Sequence, residues 1–150
     1  MTTLKIGDKA PGFSAQDQNG NTVSLADFVG KKVVLFFYPK ASTPGCTAEA
    51  CDLQNNLERF VESNYQVIGV SADSQKRQLN FSDKNKLQYP LLADEAKVVI
   101  NAYGVWGPKK FMGREYDGIH RVTFIINEEG SIVDIIEKVK TKEHTNQILK

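Results

Sequence analysis

Six consecutive apolar and aromatic residues, Val33-Val-Leu-Phe-Phe-Tyr38, constrain the fold of this chain more than any other feature. A strand with one wet face alternates apolar and polar residues. One that does not alternate must be covered on both faces, as happens in a mainly parallel sheet with helices above and below. Pro39 ends the run, because it has no amide to give to a ladder. Thr43 then stands where a helix N-cap belongs and Pro44 where the first helical residue belongs, since proline there gives up only an amide that would be unbonded anyway. Cys46, Ala50, Leu53, Leu57, Phe60 and Val61 follow at intervals of three and four, which predicts one amphipathic helix starting just before Cys46.

Around this strand and helix the remaining elements fall into place. Phe13-Ser-Ala and Thr22-Val-Ser flank Asp17-Gln-Asn-Gly20, and the Asn19-Gly20 pair predicts an N-terminal β-hairpin because both residues tolerate positive φ. Val67-Ile-Gly-Val70 reads as a second buried strand, followed by a polar helix opened by Asp73-Ser74 and carrying Leu79 and Leu87. Pro90 to Ala93 reads as an edge strand and Glu95 to Ala102 as a short helix. Val122 to Ile126 and Ser131 to Ile136 form a hairpin across Asn127-Glu-Glu-Gly130, and Thr141 caps a last amphipathic helix. Strands alternating with helices, closed by a hairpin and a helix, describe an α/β sheet covered on both faces.

The composition excludes several classes. At 150 residues and 41% apolar content, residues 1–150 are expected to form one domain with one sizeable core. Nineteen Lys and Arg balance eighteen Asp and Glu to a net charge of +1, so no overall field draws the chain to nucleic acid or an anionic membrane. Met1 to Lys9 lacks a basic stretch followed by an apolar one, and no later segment has the length to cross a bilayer, so a soluble cytoplasmic protein is expected. Two cysteines are too few for a secreted disulfide scaffold.

Those two cysteines carry the chemistry. Cys46 falls at about the third position of its helix, where unpaired amides and the macrodipole favour a thiolate, and it lies beside the carboxyl ends of the strands, where open α/β sheets bind ligands. Cys51 is five residues further. Five helical residues rise about 7.5 Å and turn about 140° beyond a full circle, which separates the Cα atoms by roughly 8.7 Å. A disulfide needs about 7 Å or less, so any Cys46–Cys51 bridge requires the first turns of the helix to unwind. The spacing suits a switch rather than a staple. It is not Cys-x-x-Cys, and His120 and His144 form no ligand pair with it, so neither a structural zinc site nor a thioredoxin-like disulfide reductase is indicated. A redox-sensing module built on the thiol pair is a second reading of the same residues.

Pro39-Lys-Ala-Ser-Thr43-Pro-Gly-Cys46 resembles the Pro-x-x-x-Thr-x-x-Cys signature of the peroxiredoxins, and Cys46-Thr-Ala-Glu-Ala-Cys51 is similar to their bacterioferritin-comigratory, or Q, type. The resemblance extends through Ala10-Pro-Gly-Phe, Tyr103-Gly-Val-Trp-Gly107 and Tyr116-Asp-Gly-Ile-His-Arg121. It implies a thioredoxin-like fold, a central mixed sheet flanked by helices with an N-terminal β-hairpin, and a thiol peroxidase acting on hydrogen peroxide and organic hydroperoxides. It also implies roles: Cys46 as the peroxidatic nucleophile, Cys51 as the resolving thiol, Thr43 and Arg121 as groups that bind and activate the peroxide, Pro39 as a shield over the pocket and Glu49 as the group that orients Arg121. Recycling by thioredoxin or a glutaredoxin-like dithiol and a monomeric state belong to the same expectation. The chemistry calls for no cofactor and no metal.

Physical chemistry says why donors matter more than ionisation. Lowering a thiol from pKa about 8.5 to about 6 raises its thiolate fraction but weakens each thiolate as a nucleophile, for a net gain of only about two- to threefold. Large acceleration must come from stabilising charge as the oxygen–oxygen bond breaks, and the Thr43 hydroxyl, the early-helix amides and Arg121 are the available donors. Arginine suits this place because its planar fork stays charged beside another ion. The other candidates read as structural. Lys109, Lys110 and Arg114 are a solvated basic patch in a Gly-rich loop, Trp106 and Phe111 are packing residues, and His120 is a hydrogen-bonding neighbour of Arg121.

Overall fold

The computed structural model describes residues 2–149. In chain order its elements are β1 (Ser14–Gln16), β2 (Thr22–Ser24), a 3-10 turn (Leu25–Phe28), β3 (Lys32–Phe37), α1 (Pro44–Asn55), α2 (Leu57–Glu62), β4 (Tyr65–Ser71), α3 (Gln75–Asn85), β5 (Leu91–Ala93), α4 (Val98–Ala102), β6 (Trp106–Phe111), β7 (Arg114–Ile119), β8 (Val122–Ile126), β9 (Ile132–Ile136) and α5 (His144–Ile148). Five strands make the central sheet in the order β5-β4-β3-β8-β9. β3 runs parallel to β4 and antiparallel to β8, so the sheet is mixed, as expected.

β3 sits in the middle because it has no polar face to show. Val33, Leu35 and Phe37 enter one core with Ile68, Val70, Tyr103 and Phe124. Val34, Phe36 and Tyr38 enter the other with Cys46, Ala50, Leu53, Phe60 and Phe81. Each fully buried side chain of this size contributes about 1.5–3 kcal/mol, so the period-two division of one strand ties both helical layers to the sheet. Gly69 on β4 makes room for that packing: a Cβ there would lie 2.8 Å from Phe36 and 2.9 Å from Leu91.

Several boundaries differ from the sequence reading, each for a local reason. The helix expected through Val61 is two helices. Asn56 breaks it, with its side-chain amide donating to Asp52 O at 2.8 Å in competition with the ladder, and Val61 ends 62% exposed. α3 buries Gln78, Phe81 and Ser82 rather than Leu79, and Leu87 lies beyond the helix, after Lys86 turns left-handed. α4 begins at Val98 instead of Glu95, because the Asp94 carboxylate accepts from Val98 N at 3.0 Å and Ile100 N at 2.8 Å and so sets the start. Thr141 does not cap the last helix. α5 starts at His144, and Thr145 N donates to the Asp52 carboxylate of α1 at 2.7 Å, so a tertiary contact takes the place of a local cap.

The N-terminal hairpin is present, but only Gly20 of its turn has positive φ, and the Asp17 carboxylate organises the turn by accepting from Asn19 N and Asn21 N. The stretch read as a Gly-rich loop is a two-stranded ribbon, β6 paired with β7. Its turn is Met112-Gly113, both at positive φ, the two-residue geometry that matches strand twist. Phe111, expected to pack, is 65% exposed at the end of this ribbon.

Candidate active site

The segment between β3 and α1 is shaped from beneath. Ala41 N donates to Asp73 Oδ2 at 2.7 Å, the Ser71 hydroxyl donates to the same oxygen at 2.6 Å, Gln78 Nε2 donates to Ser71 Oγ at 2.9 Å, and the Tyr38 hydroxyl donates to Gln78 Oε1 at 2.5 Å. A buried polar chain with every member partnered fixes its geometry strongly. Above it Ser42 takes a left-handed φ of 65° and Thr43 turns extended as the N-cap of α1. The Thr43 hydroxyl does not cap. It donates to Lys40 O at 2.7 Å, so it serves neither the helix amides nor, as a donor, a second partner.

Cys46 is the third residue of α1, among amides that lack intrahelical partners, and it is 1% exposed. Arg121 reaches it from the link between β7 and β8. The register explains the meeting: Val122 pairs with Phe37, so the residue before β8 lies beside the end of β3 from which the chain passes to Cys46. Arg121 Nη2 is 3.4 Å from Cys46 Sγ, and Arg121 Nη1 donates to Glu49 Oε1 at 2.8 Å. Glu49 follows Cys46 by three residues, which on a helix places it on the same face. Gly45 packs directly on the guanidinium, where a Cβ would stand 3.2 Å from Nη2.

The electrostatics follow from burial and neighbours. Burial drives the Glu49 carboxyl up to about 7 even though Arg121 pulls it down. Burial opposes the charge of Arg121, yet Cys46 and Glu49 together hold the guanidinium above its ordinary value. Lys109 is not a freely solvated cation. It donates across the ribbon to Ile119 O at 2.9 Å, and burial and Arg121 lower it while Cys46 acts the other way. Pro39 lines a cavity of about 410 Å3 with Lys109, Trp106, Tyr116 and Ile119. His120 Nε2 faces Pro108 O at 2.9 Å and turns to the ribbon backbone.

Cys51 lies on the same unbroken helix. It is half-buried, its thiol donates to Asn85 Oδ1 at 3.6 Å, and burial pushes the thiol up. Both cysteines are free. Two further bonds hold this part of α1: Tyr89 OH donates to Ala50 O at 2.8 Å, and Thr145 N donates to Asp52.

A model described as the AhpC/TSA family matches residues 6–135. Peroxiredoxin Bcp of Escherichia coli K12 is 44% identical over 149 residues, covering 99% of this chain and 96% of that protein. The chain belongs to the AhpC/TSA family. Within it the peroxiredoxins of the Bcp, or Q, type are the similar ones. A mutant of Xylella fastidiosa peroxiredoxin Q superimposes with a TM-score of 0.92 at 29% identity, covering 99% of this chain and 95% of that one. The bacterioferritin comigratory protein of Xanthomonas campestris, whose structures concern alkyl peroxide reduction, superimposes at 0.88 with 32% identity over 99% and 95% of the two chains. The thioredoxin-like fold implied by the signature is therefore the fold of this peroxiredoxin chain.

Of the residues singled out in the sequence, the fold brings Cys46, Arg121 and Glu49 into contact, sets Thr43 at the cap of the same helix, puts Pro39 on the neighbouring cavity and leaves Cys51 on another side of α1. Sequence reasoning gave Gly45 no part in the site, although its place between Pro44 and Cys46 was a signal. It read Asp73 only as a helix opening, Lys109 as part of a solvated patch and His144 only as no metal ligand, because their partners here are remote in sequence. Among the described residues no helix is long and apolar enough to cross a membrane.

Proposed function

We propose that Cys46 attacks a hydroperoxide as a thiolate while Arg121 holds sulfur and oxygen together. Membership of the peroxiredoxins makes the chain a thiol peroxidase, and the observation that carries this assignment of roles is the Arg121 guanidinium 3.4 Å from Cys46 Sγ. The sulfur of Cys46 bonds to the terminal oxygen of R–O–O–H, the oxygen–oxygen bond breaks, and RO⁻ leaves to be protonated, with Cys46 now a sulfenic acid. Arg121 and the free amides of the first turn of α1 stabilise the departing oxygen, the oxyanion principle applied to a peroxide. The Thr43 proton is committed to Lys40 O, so Thr43 enters as an acceptor for the peroxide O–H rather than as a donor to the leaving oxygen. Pro39 closes one side and Glu49 aims the guanidinium.

The Cys51 thiol then condenses with the sulfenic acid, forming a disulfide and releasing water. An external dithiol of the thioredoxin or glutaredoxin-like class attacks that disulfide and leaves both cysteines reduced and itself oxidised. The test is an assay with peroxide and thioredoxin, coupled to mass spectrometry after one equivalent of peroxide. Equal consumption of peroxide and dithiol with a Cys46–Cys51 bridge is the expected result. A disulfide reductase would consume substrate without peroxide, a sensor would stop after one event, and either result rejects the reading.

A further inference from the structure

Behind Arg121 lies a buried polar pair that this reaction does not use. Glu49 is 0% exposed, and its Oε2 makes no hydrogen bond among the described residues. The polar atom facing Oε2 is Nε2 of His144, also fully buried, at 3.5 Å. The state of His144 follows from the partners of its two ring nitrogens. Gln147 Oε1 accepts from Lys140 N at 2.9 Å and Gln147 Nε2 donates to Lys138 O at 2.9 Å, which fixes the amide orientation. His144 Nδ1, 2.8 Å from that same Oε1, must then donate, so Nδ1 carries the proton. Thr123 Oγ1 lies 2.8 Å from Nε2, and because this fully buried hydroxyl has no other partner among the described residues, it must donate to Nε2, which leaves that nitrogen unprotonated and the imidazole neutral. With the single Nε2 lone pair taken by Thr123 and no N–H on that nitrogen, an ionised Glu49 would leave a charged Oε2 with no donor in a site closed to water.

We propose that Glu49 is held as a neutral acid with its proton on Oε2 facing His144, so that it orients Arg121 through Oε1 without cancelling the guanidinium charge, and that His144 is the positioning residue for this proton. The proposal rests on the peroxidase reading. Its consequence is that the Cys46 thiolate and the departing oxyanion meet a cation whose charge is not already spent on a carboxylate. Burial favours the uncharged form of both partners, raising Glu49 and lowering His144. The charged groups that act on the pair are Arg121 from the β7–β8 link and Asp52 from α1, while Thr123 on β8 and Gln147 on α5 contribute only dipoles.

The proton is read directly in the reduced protein without peroxide. Infrared difference spectra at about pH 6 should show a protonated carboxyl band that Glu49→Gln lacks, and ring ¹⁵N signals of His144 should show a neutral imidazole protonated at Nδ1. In the pH profile of Cys46 oxidation, the wild-type rate should fall by about tenfold relative to Glu49→Gln between about pH 6 and pH 8, as the proton is lost and Arg121 acquires a counter-ion. An ionised carboxylate or an imidazolium at about pH 6, or a rate ratio that does not change with pH, overturns the proposal. Failure of the peroxidase reading looks different: the wild type would show no sustained peroxide consumption, or would consume it no faster than Cys46→Ser, whatever the infrared band does.

Discussion

The two cysteines share one helix and one element of secondary structure, yet their surroundings are opposed. Cys46 is nearly sealed, sits among free amides and touches a guanidinium that Glu49 aims from the other side. Cys51 is more open, donates to the Asn85 amide oxygen and is pushed up by burial. The first turn of α1 is built around charge, and the stretch further along it holds a thiol that burial keeps neutral. Helix position alone does not make a reactive cysteine. What separates the two is the arginine delivered from the link before β8.

The comparison can be broken at several points. The largest effect is expected from Cys46→Ser, which should abolish peroxide consumption in the coupled assay, whereas Cys51→Ser should keep its first oxidation in stopped-flow and lose recycling. Equal steady-state rates for the two variants would erase the distinction. Next is the pH dependence of stability. Burial raises Glu49 from 4.5 to about 7, so the folded chain keeps a proton that the unfolded chain has released. The stability this contributes is complete below about pH 4.5 and is lost as pH rises through about 7, a change of about 3 kcal/mol. Urea unfolding across that range should show the loss in wild type and a flatter curve in Glu49→Gln.

Arg121→Lys keeps the charge but removes the fork, and should lower kcat/KM by about a hundredfold. Gly45→Ala inserts a methyl 3.2 Å from Nη2, and should lower kcat/KM by about tenfold without lowering Tm, because alanine favours the helix. The smallest change belongs to the Cys51 end. Tyr89→Phe deletes the bond to Ala50 O, and should cost about 1 kcal/mol of stability while speeding disulfide closure two- to fivefold or so in rapid-quench measurements.

The sheet and the nucleophile were legible because they rest on local signals: an unbroken apolar run for β3, and Thr43-Pro44 for the start of α1. Arg121 and Glu49 were legible only through the family signature, since nothing in spacing brings residue 121 to residue 46. The ribbon was hidden because Met112 occupies a positive-φ position where asparagine or glycine would announce a turn, and Pro108 within β6 argues against a strand. His144 and Asp73 were out of reach for a different reason. Their importance lies in buried partners supplied by other elements, and a lone polar residue in a sequence does not disclose that it is buried.

The interruption at Asn56 acts as a firebreak. For Cys51 to approach Cys46, α1 must come undone, and a continuous helix would have carried that unravelling onward to Phe60 beneath the sheet. Hydrogen bonding restarts at Asn56, where Arg59 N and Phe60 N donate to Asn56 O, so α2 keeps its own footing. Unwinding that stops at Asn56 would loosen Cys46, Ala50 and Leu53 of α1 and leave Phe60, Phe36 and Tyr38 of the same core in place.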